Sequence, residues 1–440
     1  MRSQIILALV VAFTDTQADR LRAGEQDPPN IVFIMADDVG VECLSCYGGE
    51  SYKTPHLDEL AKSGARFDHC YSMAVCHPTR VTLMTGQYAF RFKSKWGDFP
   101  NEVASQSIGH VMRRAGYATA VAGKWQITTL KKHPEHPHQL GFDEYCLFGW
   151  HEGPRYWQPL IWQNGSIREG VKDRYGPEVY CDFLIDFIKR NRERPFFAYY
   201  PMALCHDVTD DLKKPVPYGP GKERYDSFAE MVSNMDRMVG RLVAELDRLK
   251  LREKTLIVFT TDNGTPHTSI AGVTNDKLYR EPVESKMGGK MVKGGKGTLK
   301  DSGTHVPLIV SQPGFIAGNT VHNDLVDFTD FLPTFAELGK AKLFNDVAYD
   351  GHSFVSRLQD NGRPVRSWAL AEHKGKSFVR NQRWKLYSDG RLFDLKEDPL
   401  EQKPIDTVAE SGSSKRAHLL LTKALSDVGW PDGTSRTNAR

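Results

Sequence analysis

The sequence predicts an α/β fold: a doubly wound, mostly parallel sheet flanked by helices, followed by a smaller C-terminal antiparallel sheet with a helix. Three observations lead there. Short, non-alternating apolar runs recur along the first three quarters of the chain. Most are separated by segments with helical periodicity. After about residue 340 the texture changes to alternating runs with turn signals.

The apolar runs are NIVFIMA (30–36), ATAVAGK (118–124), PFFAYYP (195–201), TLIVFTT (255–261) and VPLIVSQ (306–312). They are rich in β-branched or aromatic residues, as strands buried on both faces must be. Between them, TPHLDELAKSGARF (54–67) predicts a helix with Thr54 as N-cap and Pro55 at its first position. Residues 181–191 and 227–249 carry the same three-to-four-residue apolar period. Near the C-terminus, Trp384–Tyr387 precedes an Asp389-Gly390 turn signal, and 417–429 reads as a helix. The chain divides into residues 28–340, the α/β domain, and 341–440, a C-terminal subdomain.

Composition narrows the function. The 440 residues are 40% hydrophobic and 26% charged with formal net charge +3, too balanced to argue for nucleic acid as a partner. Arg2 followed by the apolar run 5–13 and polar residues with Thr16 and Ala18 reads as a signal peptide over 1–18. That run is far shorter than the ~20 residues a membrane helix needs, and no other stretch approaches that length. The expectation is an exported protein without a membrane span: periplasmic or extracellular, or lysosomal or secretory in a eukaryote. Seven cysteines leave at least one unpaired, and Cys43-x-x-Cys46 lacks the second CxxC of a zinc site.

In such sheets ligands bind beyond the carboxyl ends of the strands. Four runs end in polar groups: the first at Asp37-Asp38, the second at Lys124, the third leading to His206, the fourth at Asp262-Asn263. Either acidic pair alone is equally a turn former. On separate strands they form a set of hard oxygens suited to Ca²⁺ or Mg²⁺. Lys124 and Lys296, the latter in GGKGT (294–298), are suited to a bound anion. The GGKGT loop lacks P-loop spacing.

These motifs, together with CHPTRVTLMTG (76–86), GYATAVAGKW and HVPLIVSQPG, occur in the order found in type I sulfatases. The chain resembles that family, formylglycine-dependent enzymes on an alkaline-phosphatase-like fold, over roughly residues 30–400. The resemblance implies that Cys76 is oxidised to formylglycine by a formylglycine-generating enzyme. One hydroxyl of the hydrated aldehyde would then attack the sulfate ester, giving a sulfo-enzyme intermediate that the second hydroxyl resolves. It implies Asp37, Asp38, Asp262 and Asn263, with residue 76, as ligands of Ca²⁺ in preference to Mg²⁺. Arg80 would orient the nucleophile, Lys124 and Lys296 bind sulfate oxygens, and His206 or Lys296 protonate the leaving oxygen.

One position departs from the family, which reads GKWH where this chain reads GKWQ. Gln126 cannot accept a proton near neutral pH, so His151 or His77 becomes the alternative base. His305, where the family has arginine, reads as structural. The expected substrate is a sulfated carbohydrate or other sulfated small molecule. Trp157, Trp162 and KKHPEHPH (131–138) are either sugar contacts or ordinary core and loop residues. Rival readings are a phosphonate or phosphate ester hydrolase of the same superfamily, and a glycan-binding protein weakened by Gln126.

Overall fold

The computed structural model describes residues 27–92, 95–149, 152–207, 227–274, 277–359, 362–406 and 412–430. The expected signal segment (1–18) and His151 lie outside the described residues.

The principal sheet has ten strands. In chain order they include β1 (Asn30–Ala36), β2 (Ala65–Tyr71), β3 (Ala118–Lys124), β4 (Glu144–Phe148), β5 (Trp162–Gln163), β6 (Ser166–Ile167), β7 (Phe196–Pro201) and β8 (Thr255–Thr261). Two small hairpins follow, β9 (Thr268–Thr274) with β10 (Lys277–Pro282), and β11 (Glu284–Met287) with β12 (Lys290–Lys293). β13 (His305–Ser311) and β14 (Thr320–Asp327) complete the principal sheet. Its spatial order is β14-β2-β13-β8-β1-β7-β3-β4-β5-β6.

The centre, β8-β1-β7-β3-β4, is parallel. β13 runs antiparallel to both β8 and β2, while β2 and β14 pair in parallel. Both faces are covered, which is why the middles of the central strands are continuously apolar. Val32, Ile34 and Ala36 of β1 face one core, packed under the helices Pro55–Lys62, Gly176–Arg190 and Phe228–Arg248. Ile31, Phe33 and Met35 face the other, under Cys76–Thr85, Ile108–Arg114 and Phe331–Leu338.

The predicted helix over 54–67 stops at Lys62, and residues from Ala65 form β2 instead. Gly64 explains the break: a Cβ there would stand 2.3 Å from the Val310 carbonyl of β13. The chain must lie against the sheet at that point, and a helix cannot. The helix predicted over 227–249 is present as Phe228–Arg248, with Ser227 Oγ accepting from the Glu230 amide at 3.3 Å. The helix expected over 417–429 begins earlier, at Gly412.

The C-terminal sheet is β15 (Ala369–His373), β16 (Lys376–Arg380), β17 (Trp384–Tyr387) and β18 (Leu392–Asp394), antiparallel throughout. Gly390 takes φ +89° in the β17–β18 turn, as the Asp-Gly signal requires. The sheet packs against the principal domain through Ala369, Ala371 and Phe378, which meet Tyr71, Met73 and Leu325. All seven cysteines are free thiols. Among the described residues no helix is long and apolar enough to cross a membrane.

Candidate active site

Four neighbouring strands deliver the polar groups to one edge. β1 ends at Asp37-Asp38, both buried, and Asp38 takes φ +62°, turning the chain sharply as it leaves the sheet. The turn is held by backbone bonds: the Asp37 amide donates to the Leu204 carbonyl at 2.8 Å, and the Asp262 amide to Ala36 at 3.1 Å. So the ends of β1, β7 and β8 are tied together before any side chain acts. Gly123 brings β3 in closely: with φ +122°, any Cβ would lie 2.0 Å from the Pro201 carbonyl.

CHPTRVTLMT forms one helix, Cys76–Thr85, closed by Gly86 at φ +65°. Cys76 and Arg80 are four residues apart and so share a face. That face looks onto the carboxylates. Arg80 Nη2 donates to Asp262 Oδ2 at 2.6 Å and Nη1 to the Lys124 carbonyl at 2.9 Å. Thr79 Oγ1 donates to the Asp262 carbonyl at 2.7 Å.

Atoms of Asp37, Asp38, Cys76 and Asp262 that could bind a metal lie within 4.8 Å of one another. Asn263 Nδ2 donates to Asp38 Oδ1 at 2.8 Å, while Asn263 Oδ1 is buried without a hydrogen-bond partner. An orphaned buried oxygen beside three carboxylates fits a hard divalent cation. Two lysines complete the cluster. Lys124 Nζ bonds Asp37 and lies 3.4 Å from Cys76 Sγ; Lys296 Nζ donates to Asp38 Oδ1 at 2.5 Å.

The ionisation of these groups follows from burial. Burial first, then the Asp262 carboxylate, pushes the Cys76 thiol up to about 12, so an unmodified thiol there holds its proton near neutrality. Asp262 is raised by burial and then by Asp37. Asp38 and its fellow carboxylates outweigh burial at Lys296, which is raised and stays an ammonium. His206 is held well below the usual imidazole range, by burial and then by Lys296 and Lys124. Its Nδ1–H donates to the Asp207 carbonyl at 2.5 Å, leaving Nε2 3.9 Å from Asp38 Oδ2.

Gln126 is also buried, at φ +56°, with Oε1 unpartnered. His77 Nε2–H donates to the Asp98 carbonyl at 2.9 Å and its ring packs on Trp96, so it serves that loop. His305 Nε2–H donates to the Asp68 carbonyl at 2.8 Å, and its ring stacks on Tyr71. Trp157 and Trp162 pack against the two cores, with Trp162 Nε1–H donating to Glu152 at 2.8 Å.

Sequence reading missed two supports. Tyr156 donates to the carbonyls of Ala203, at 2.8 Å, and His206, at 2.6 Å, fixing the segment after β7. Arg155 is buried and close enough to His206 for its charge to depress that imidazole. Neither EGPRYW nor its spacing carries a motif; only a charged residue in a largely apolar stretch marked it.

Comparison with known proteins agrees with this geometry. The sulfatase family profile matches residues 29–341. The chain is 26% identical to an N-acetylgalactosamine-6-O-sulfatase of Bacteroides thetaiotaomicron, over 85% of this chain and 89% of that one. It is 29% identical to arylsulfatase A of Homo sapiens, over 77% and 69%. Among solved structures, Ps i-CgsB superposes with a TM-score of 0.74 at 25% identity, covering 93% of this chain and 94% of that one. The match runs through every strand end that builds the cluster, and the chain belongs to the sulfatase family, enzymes that hydrolyse sulfate esters.

Proposed function

We propose that this protein removes sulfate from a sulfated carbohydrate, with Cys76 as the precursor of formylglycine and Ca²⁺ on the carboxylate cluster. The observation that supports it most strongly is the gathering of Asp37, Asp38, Asp262 and residue 76 within 4.8 Å under two ammonium groups. A carbohydrate substrate is favoured because the Bacteroides relative is named for a sulfated N-acetylgalactosamine.

Asp37, Asp38, Asp262 and Asn263 Oδ1 would hold the cation with residue 76. Bound there, a cation polarises a sulfate oxygen, and the hydrated aldehyde supplies the nucleophilic hydroxyl. The chain's own residues do the rest. Lys124, beside position 76, and Lys296, across the cluster, place ammonium groups where sulfate charge must be met. Arg80, locked between Asp262 and the Lys124 carbonyl, fixes the helix face that presents residue 76. Lys296, which stays an ammonium, is the group that would protonate the leaving oxygen, while His206, its Nδ1–H given to the Asp207 carbonyl, turns an accepting Nε2 towards the cluster. Export rests on the N-terminal apolar run alone, and N-terminal sequencing of secreted protein tests it.

The decisive test pairs mass spectrometry of the peptide carrying residue 76 with sulfate release from sulfated sugars, using protein co-expressed with a formylglycine-generating enzyme. Conversion of Cys76 together with sulfate release is expected. An unconverted thiol in fully active protein sinks the mechanism. Faster turnover of a phosphate than of a sulfate ester of the same phenol sinks the sulfatase assignment of its main activity.

A further inference from the structure

A cavity of about 950 Å³, lined by residues of 95–105 and 128–139 together with His110, is left unused by the reaction described above. It borders the segments that carry the catalytic groups. Asp98, on its rim, accepts from His77, the neighbour of Cys76; Thr128, in its wall, follows Gln126 by two residues. The histidine-rich stretch 131–138 contributes His133 and His136.

The lining has the character of a sugar site. Phe99 and Pro100 offer a buried apolar surface for the C–H face of a ring. Around it stand hydroxyl, amide and imidazole groups, among them Thr128, Asn101 and the exposed His133. Trp125 Nε1–H donates to His136 Nδ1 at 3.1 Å, which puts the His136 proton on Nε2. That Nε2 is buried with no hydrogen-bond partner among the described residues. No metal-binding group forms here: among the described residues the only cluster of that kind is the one at Cys76.

Charge then selects the kind of sugar. One ammonium, Lys95, faces two carboxylates, Asp98 and Glu102, and burial pushes the His136 imidazole down to about 4, so it is neutral. A second sulfate or a uronate would meet a net negative lining. We propose that this cavity is a subsite for an uncharged sugar ring linked to the ring whose sulfate is removed. The proposal rests on the reading of the chain as a carbohydrate sulfatase.

The test uses galactose, N-acetylgalactosamine and N-acetylglucosamine 6-sulfates, each as the free sugar, linked to a neutral hexose, and linked to a hexuronic acid. For the sulfated ring that is turned over, kcat/KM should be about tenfold higher in the neutral-linked form than as the free sugar. The uronate-linked form should show no such gain. His133→Trp, which fills the cavity from its rim, and Thr128→Val, which removes a hydroxyl, should each bring the ratio near one. A ratio unchanged by both variants, or preference for the uronate-linked form, overturns the subsite. If no sulfated sugar is turned over, the carbohydrate reading fails separately. The subsite is then read by calorimetry with the unsulfated neutral disaccharide: binding that His133→Trp abolishes sustains it, and no binding by the wild type overturns it.

Discussion

Arg80 and Asp262 form a buried ion pair, Nη2 to Oδ2 at 2.6 Å, that joins the helix bearing residue 76 to the end of β8. The same guanidinium also holds the Lys124 carbonyl, so one side chain spans three elements of the site. A lysine has a single ammonium and no fork to span them. Arg80→Lys should lower kcat at least a hundredfold. Arg80→Met leaves Asp262 buried and unpaired and should cost about 3–5 kcal/mol. Adding Asp262→Asn should restore part of that stability and none of the activity, checked by denaturant unfolding and steady-state kinetics.

The carboxylate cluster predicts a metal-dependent protein. Chelation should abolish sulfate release and lower the melting temperature. Ca²⁺ should restore both better than Mg²⁺, since three carboxylates and an amide oxygen are the donor set Ca²⁺ takes, whereas Mg²⁺ keeps most of its waters. At a free concentration of 100 Kd the ion should add about 2.7 kcal/mol of stability. Asn263→Ala removes the orphaned oxygen and should shift the Ca²⁺ titration to higher concentration, measured by thermal unfolding.

Much of this was legible in the sequence, for physical reasons. The five predicted strands are buried on both faces, so their middles are continuous apolar runs with few polar residues to obscure them, and the polar groups at the ends of four of them marked the site. β2 and β14 escaped because ARFDHCY and TVHNDLVD mix charges into half-covered strands near the sheet edge. The orientation of β13, antiparallel to its neighbours, has no signature in VPLIVSQ. Arg155 was hidden because burial of an isolated arginine is a tertiary property. The same holds for Lys385, an ordinary residue in a strand pattern that proves fully buried.

Lys385 links the C-terminal sheet to chemistry. Its Nζ donates to the Leu299 carbonyl at 2.7 Å, Asp301 at 3.1 Å and Glu401 at 2.9 Å. Arg380 donates to Asp301 at 2.6 Å, and Tyr387 Oη to the Leu299 carbonyl at 3.3 Å. Residues 299–301 are thereby clamped just beyond the loop that carries Lys296. Lys385→Met should loosen that loop and raise KM more than it lowers kcat, with Arg80-dependent steps intact. Because it leaves the buried Glu401 without its ammonium partner, while Asp301 keeps Arg380, it should also cost about 3–5 kcal/mol. Lys385→Met with Glu401→Gln separates the effects: stability recovers in part and KM stays high.

Burial next to His305 gives stability a pH dependence at acid pH. His69 is pushed down to about 4, by burial first and then by His305, against 6.5 in the unfolded chain. The unfolded state therefore binds a proton that the folded state refuses, and stability falls as pH drops from about 6.5 towards 4. The loss should be on the order of 3 kcal/mol, at 1.4 kcal/mol per unit. His69→Asn should flatten that limb in urea unfolding measured at pH 7, 5.5 and 4.5.

In the proposed mechanism, Gln126 stands where the last proton transfer would be decided. It sits two residues beyond Lys124, buried, at a left-handed φ of +56°, with Oε1 unpartnered. An amide can hydrogen-bond to a bound group but cannot take its proton, and His77 is committed to the Asp98 carbonyl. The step that frees sulfate from the enzyme should therefore be slow, and an aryl sulfate should show a burst followed by slower steady turnover. Gln126→His supplies a base at the same position, and such a base contributes about 10²–10⁴-fold where proton transfer limits. The expected result is at least a tenfold rise in kcat, loss of the burst, and a new limb in kcat against pH near the imidazole range. Gln126→Ala should leave the burst amplitude unchanged and kcat within about threefold, because the side chain it removes moves no proton. If Gln126→His leaves kcat and its pH profile as they were, another group already accepts that proton.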